Sequence, residues 1–175
     1  MKTAVLLSGG VDSSVALSLL KEQGHDITAF YLQIWLEDEM AFLGNCPWKE
    51  DISFAKKVCD KFGVPLEIID MQKEYFDTVV DYTVKALKAG RTPSPDVMCN
   101  RLIKFGAFVN KIDDSFAQIA SGHYAYIEES DNKFLLKRAP DPVKDQTYFL
   151  TYLNQEQLSK LVFPICKYKK KQVGE

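Results

Sequence analysis

The chain has 175 residues, 46% hydrophobic and 26% charged, and its 22 basic against 24 acidic side chains leave a formal charge of −2. That balance is ordinary for a globular domain. It excludes a uniformly basic coat for nucleic acid, since phosphate neutralisation dominates that kind of binding, though it leaves room for a local basic groove. A chain of this length buries roughly two-thirds of the surface its unfolded form exposes, enough for a core without disulfides or structural metal. No apolar run approaches the roughly 20 residues of a membrane-spanning helix. The opening run to Leu7 breaks at Ser8-Gly9-Gly10, too soon for a signal peptide, so the expectation is a cytoplasmic protein with no membrane partner.

In chain order, residues 3–7 read as a buried strand stopped by Ser8-Gly9-Gly10. Val11, Val15, Ala16, Leu19 and Leu20 then recur at helical spacing, with Asp12 or Ser13 as the cap and Gly24 as the stop. Residues 27–35 read as a second strand. A helix over 50–62 places Ile52, Ala55, Cys59 and Phe62 on one face and ends at Gly63, ahead of a third strand over 66–69. Another amphipathic helix runs from about 74 to 89, closed by Gly90.

Prolines at 93 and 95 then exclude regular helix and hold an ordered loop, followed by a helix through Leu102, Ile103 and Phe105 to Val109. Residues 119–120 make a short fourth strand, 124–128 and 134–137 a hairpin, and 145–153 and 155–161 two short helices. The polar residues 167–175 end without a stop signal, and the last of them are expected to be disordered. Strands alternating with helical crossovers predict an α/β fold, a doubly wound parallel sheet with helices on both faces. Such sheets carry ligands outside the carboxyl ends of their strands, where the first glycine-rich turn lies.

That turn, Ser8-Gly9-Gly10-Val11-Asp12-Ser13-Ser14 between strand and helix, is the strongest local signal. Glycines let backbone approach a ligand closely, and successive amides at a helix N-terminus present partial positive charge to phosphate. No lysine follows the glycines as a Walker loop requires, and the dinucleotide fingerprint is absent as well. Cys46, Cys59, Cys99 and Cys166 are unevenly spaced, lack a C-x-x-C pair and have only His25 and His123 as potential co-ligands, so neither a metal site nor a disulfide framework is read. Cys59 fits a buried helical stripe. Cys99 lies near the expected start of a helix, where the dipole favours thiolate and Arg91 and Arg101 add positive charge.

The loop at 8–13 resembles the pyrophosphate loop of ATP pyrophosphatases, the adenine nucleotide alpha hydrolase-like PP-loop enzymes. Gly90-Arg91-Thr92-Pro93-Ser94-Pro95-Asp96-Val97-Met98-Cys99-Asn100, together with Ser121-Gly122-His123-Tyr124-Ala125 and Lys144-Asp145-Gln146-Thr147-Tyr148-Phe149-Leu150, resembles the tRNA-specific 2-thiouridylases. The resemblance implies ATP held by Leu6, Leu7, Ser8, Gly9, Gly10, Val11, Asp12 and Ser13, with Leu32 at the adenine and a backbone contact from Gly122. It implies that Ser94, Pro95 and Asp96 meet the target base, that Lys144, Asp145 and Gln146 touch the tRNA, and that Cys99 is the nucleophilic cysteine. The implied activity is that of a sulfurtransferase. ATP with Mg²⁺ adenylates the wobble uridine of the anticodon, pyrophosphate leaves, and sulfur then arrives as a persulfide on a second cysteine. The first cysteine closes a disulfide as the thio-base is released, and a cysteine desulfurase or sulfur-relay protein is the implied sulfur donor.

The resemblance divides the chain into an adenylation domain over 1–140 and the start of a second, tRNA-contacting domain over 141–175. The family continues into a persulfide-bearing central segment and a β-barrel, which have no counterpart in these 175 residues. Cys166 follows Phe163-Pro164-Ile165, where the family has a connection, and Cys46 falls in an insertion after the second strand. The alternatives are a partial fragment that binds ATP or tRNA without turnover, or another PP-loop adenylating ligase.

Overall fold

The computed structural model describes residues 1–34 and 47–174. Five of its strands form one parallel sheet in the order β3-β2-β1-β4-β7: β1 (Lys2–Leu6), β2 (Asp26–Gln33), β3 (Leu66–Asp70), β4 (Gln118–Ala120) and β7 (Leu161–Val162). The chain moves outward from β1 to β2 and β3, then returns to lay β4 on the other flank of β1. The strand order therefore reverses between β1 and β4 and opens a crevice at their carboxyl ends. A separate antiparallel hairpin joins β5 (Ala125–Ser130) to β6 (Lys133–Arg138), turning through Asp131 and Asn132, both at positive φ.

Alternation along the strands sends side chains to two cores. Val5, Leu7, Ala29 and Tyr31 pack with Leu17 and Leu20 of α1 (Val11–Glu22) and with Ile52, Ala55 and Cys59 of α2 (Pro47–Phe62). Ala4, Leu6, Phe30 and Ile119 face the opposite layer, where Met71, Val79, Ile103, Phe105 and Phe108 meet them. Phe30 meets the rings of Phe108 and Phe116 edge-on, with centroids 5.2 and 5.4 Å away. Both faces of the sheet are thus covered, as parallel sheets require.

The second layer is irregular. Between α3 (Gln72–Tyr75) and α4 (Asp81–Lys88) the helix widens into a π-helical stretch over Phe76–Val80. After α5 (Pro95–Met98), a second π-helical stretch covers Cys99–Lys104 and a 3-10 turn covers Ala107–Lys111, where the sequence predicts one regular helix. The break falls at Gly106, which packs against the carbonyls of Arg101 and Leu102. The helix expected over 145–153 is only a 3-10 turn at Thr147–Leu150, because Asp145 closes a turn onto the amide and hydroxyl of Thr147. The helix expected over 155–161 ends early. α6 (Gln155–Ser159) is closed at its start by a capping box between Asn154 and Gln157, and Leu161–Val162 cross into the sheet as its fifth strand.

The tail differs from the sequence expectation as well. α7 (Lys170–Val173) is folded, and Val173 is buried with Ile165 and Tyr124 against Ala16 on α1. Trp35, read as the end of the second strand, and Cys46 lie outside the described residues.

Candidate functional site

β1 delivers the chain to Ser8 at the crevice, and Gly9 turns it at φ +80°. A Cβ on Gly9 would collide with the backbone carbonyl of Asp51 at the start of α2, so both the turn and the packing demand glycine. Gly10, extended at φ −81°, is the N-cap of α1 and makes no side-chain cap. This corrects the expectation that Asp12 or Ser13 caps the helix. The Ser13 hydroxyl bonds inward instead, donating to the Gly10 carbonyl at 3.0 Å and accepting from the Ser8 amide at 3.2 Å, which fixes the shape of the loop. Asp12 is left facing the crevice edge.

Gly122 closes the opposite wall. A Cβ there would meet the Asp12 carbonyl carbon and the Ser13 amide nitrogen at 2.7 Å, so the loop after β4 lies directly on the first turn of α1. Between them is a cavity of about 360 Å³, lined by Leu6, Leu7, Ser8, Asp12 and Ser13 from the end of β1 and the loop after it, by Phe30, Tyr31 and Leu32 of β2 with Ile34 just past its end, and by Ser121, Gly122 and His123 after β4. Cys99, Lys104 and Gln146 complete it. The apolar β2 wall beside a loop of amides suits a flat apolar ring carrying an anionic tail.

Seven residues of the ATP set inferred from sequence therefore share one cavity wall: Leu6, Leu7, Ser8, Asp12, Ser13, Leu32 and Gly122. Gly9, Gly10 and Val11 shape the turn rather than the wall, and Val11 is exposed. Cys99 opens into the same cavity. Ser94 is exposed as the N-cap of α5, Pro95 is its first residue and Asp96 its exposed second, and none of the three is on the wall. Lys144 is half-exposed and does not line the cavity. Asp145 is held by Thr147 and by Arg138 Nε at 2.7 Å, which keeps its carboxyl below the usual carboxylate range. Gln146 is a clamp, exchanging hydrogen bonds with the backbone of Tyr124 at 3.0 and 3.2 Å.

The electrostatics differ from the sequence expectation at Cys99. Burial pushes its thiol pKa up, the Lys104 ammonium pulls it partly back, and the Asp96 carboxylate adds to the rise. Cys99 closes the one-turn α5 instead of starting a long helix, so no strong dipole offsets its desolvation. The responding cation is Lys104, where the sequence suggests Arg91 and Arg101. His123 has its ring between Phe105 and Phe163, with centroids 6.0 and 5.9 Å away, and shares a 2.8 Å hydrogen bond with Ser121 Oγ. Burial and the charge of Lys104 bring its pKa down to about 3, so the imidazole is neutral at physiological pH.

Sequence reasoning missed three groups at this site. Lys104 lies on the cavity wall without belonging to any recognisable loop signature. The Tyr124 hydroxyl donates to Asp12 Oδ1 at 2.8 Å, and Lys170 Nζ sits 2.6 Å from the same oxygen. These contacts span 112 and 158 positions, a separation at which no local pattern carries a signal.

A five-stranded parallel sheet with a glycine turn from β1 into α1, and a cavity at its switch point, defines an α/β domain of the HUP, or PP-loop, class. The chain belongs to the tRNA methyl transferase HUP domain family, whose model matches residues 1–175. It is 47% identical over 173 residues to the tRNA-specific 2-thiouridylase MnmA of Parabacteroides distasonis, covering 99% of this chain and 48% of that protein. The proteins of the same name from Porphyromonas gingivalis and Bacteroides thetaiotaomicron are 47% and 46% identical, covering 94% and 100% of this chain and 45% and 49% of theirs. The chain thus spans about half the length of the curated relatives it matches. A predicted subunit of tRNA methyltransferase from Methanocaldococcus jannaschii shares the fold, with a TM-score of 0.57 at 16% identity, over 99% of this chain and 72% of that one.

Proposed function

We propose that this chain is the ATP-binding, RNA-activating part of a tRNA-uridine 2-sulfurtransferase. The observation that carries the reading is the single cavity in which the β1 loop and Cys99 share a wall. An adenine lies against Leu32 and its neighbours on β2, and the phosphates lie on the amides of residues 8–13 at the N-terminus of α1. The target uridine, unstacked from its anticodon, approaches past Ser94, Pro95 and Asp96, while Lys144 meets RNA phosphate.

In the first step the uridine carbonyl oxygen bonds to the α-phosphorus, the bond to the bridging oxygen breaks, and pyrophosphate departs. The outer sulfur of the persulfide then bonds to the base carbon as AMP leaves with the carbonyl oxygen, and the Cys99 thiolate attacks the inner sulfur, breaking the S–S bond so that the thio-base departs and the two cysteines are left as a disulfide. The persulfide-bearing cysteine belongs to the part of the relatives outside this match, and its sulfur comes from a desulfurase or relay protein. The division at residue 140 into adenylation and tRNA-contacting parts belongs to the same proposal, with Leu161–Val162 contributing a strand to the first part.

Among the described residues, Asp12 is the single carboxylate on the cavity wall, and no three potential metal ligands converge. That fits Mg²⁺ held by one protein carboxylate and by the nucleotide's own phosphates. Such an ion, when bound, offsets phosphate charge.

The test is pyrophosphate release from ATP labelled at the α-phosphate, with and without unmodified tRNA bearing a wobble uridine. Release that requires the tRNA, yields adenylated RNA, survives Cys99→Ser and is lost in Asp12→Ala is the expected result. Release indifferent to tRNA, or to Asp12→Ala, would overturn the assignment.

A further inference from the structure

The phosphate loop contains no lysine, yet the fold supplies one. Lys170, the first residue of α7, places its ammonium 2.6 Å from Asp12 Oδ1, within the first turn of α1. Its position is set from three sides. The Lys170 amide donates to Asp141 Oδ2 at 2.7 Å, while Asp141 Oδ1 accepts from the amides of Val143 and Lys144 at 2.8 Å each. Val173, one turn later, is buried against Ala16 of α1 with Ile165 and Tyr124. The Tyr124 ring passes beneath the ammonium, its centroid 5.9 Å away, and its hydroxyl donates to the same Asp12 oxygen.

An exposed lysine has little reason to be fixed this closely for stability, because a surface ion pair contributes little to it. Its location is informative instead. The amides of the loop attract phosphate but carry only partial charge, and a departing pyrophosphate needs full positive charge beside it.

We propose that Lys170 is the phosphate-binding cation of this loop, which contacts the β- and γ-phosphates of ATP and holds pyrophosphate as it leaves. Its ammonium swings on a flexible four-carbon stem from Asp12 to the phosphate oxygens, while Asp141 and Val173 keep its backbone in place. Lys104, the cation on the cavity wall, serves the opposite end beside Cys99. The proposal rests on the loop being an ATP site and adds the residue that handles the leaving group.

An acyl-phosphate derivative of ATP tests it on the unaltered chain. Such a probe passes its acyl group from the γ-phosphate to a neighbouring lysine, forming an amide and releasing ATP. Mass spectrometry is expected to find the amide on Lys170, suppressed by excess ATP and by excess inorganic pyrophosphate. Labelling confined to Lys104, Lys169 or Lys171 would overturn the role of Lys170 and leave the ATP site standing. No labelling that ATP suppresses, together with no ATP binding by calorimetry, would instead overturn the ATP site itself.

The affinity arm uses Lys170→Met, which keeps the apolar stem and the backbone N–H hydrogen bond to Asp141. ATP and pyrophosphate affinity is expected to fall about 10- to 100-fold, the scale of a charge-assisted hydrogen bond, with AMP affinity unchanged. Lys170→Arg is expected to recover most of the loss. An equal loss for AMP, or none for pyrophosphate, would overturn the proposal.

Discussion

Cys99 is a buried thiol, and the group opposing its desolvation is Lys104. Replacing that ammonium with the neutral Lys104→Met raises the thiol pKa further, so alkylation of Cys99 by iodoacetamide at pH 8 slows and the midpoint of its rate against pH moves upward. Peptide mapping separates Cys99 from the buried Cys59, whose thiol burial pushes up to about 11. Asp96→Asn moves the Cys99 midpoint the other way. Unchanged midpoints in both variants would show that neither charge acts on the thiol.

His123 gives a second residue-scale test. Its folded pKa of about 3 lies below the ordinary 6.5, so as pH falls the unfolded chain takes up the proton first. The stability tied to a neutral His123 is complete above pH 6.5 and is lost progressively from there down to about 3. Between 6.5 and about 4.5, above the range of ordinary carboxylates, that slope belongs largely to His123. Urea midpoints of His123→Asn measured across this window are expected to be flatter with pH than those of the parent, and parallel slopes would refute the assignment.

At the scale of elements, the loop after β4 is pressed onto the first turn of α1, and Gly122 is where the two backbones meet. Gly122→Ala must displace main-chain atoms, which do not yield as side chains do. The expected cost is about 1–3 kcal/mol in denaturant unfolding, with weakened ATP binding as the N-terminus of α1 tilts. An alanine variant of parental stability would mean that the loops are not so closely joined.

The glycine turn, α1, β3 and the hairpin were legible because each has a local cause: a left-handed turn, a helical stripe, an apolar run or a turn pair. The π-helical stretch at Cys99–Lys104, the short turn at Thr147–Leu150 and the fifth strand were not. The first ends at Gly106, which lies too close to the carbonyls of Arg101 and Leu102 to carry a Cβ, the second is closed by the Asp145 side chain, and the last fills the open edge of β4 that receives Leu161–Val162. The first two are details of backbone geometry, and the last needs a partner 42 positions away, as Ile119 pairs with Leu161.

For the whole molecule, the return of the chain to the far flank of β1 decides where chemistry can occur. It sets the carboxyl ends of β1 and β4 side by side and brings Leu6, Leu7, Ser8, Asp12, Ser13, Cys99, Lys104, Gly122 and Gln146 to one cavity. The strand-helix alternation, the glycine turn after β1 and the motifs that point to nucleotide and RNA could be read from the sequence alone, because these depend on neighbours a few positions apart. One wall of the cavity comes from a single contiguous loop, through Leu6, Leu7, Ser8, Asp12 and Ser13. Only the tertiary structure decided which charges surround that loop. Lys104 beside Cys99, a neutral His123, and Tyr124 and Lys170 on Asp12 arise from packing between distant segments. Electrostatic effects follow distance in space and desolvation, and neither can be read from positions along the chain.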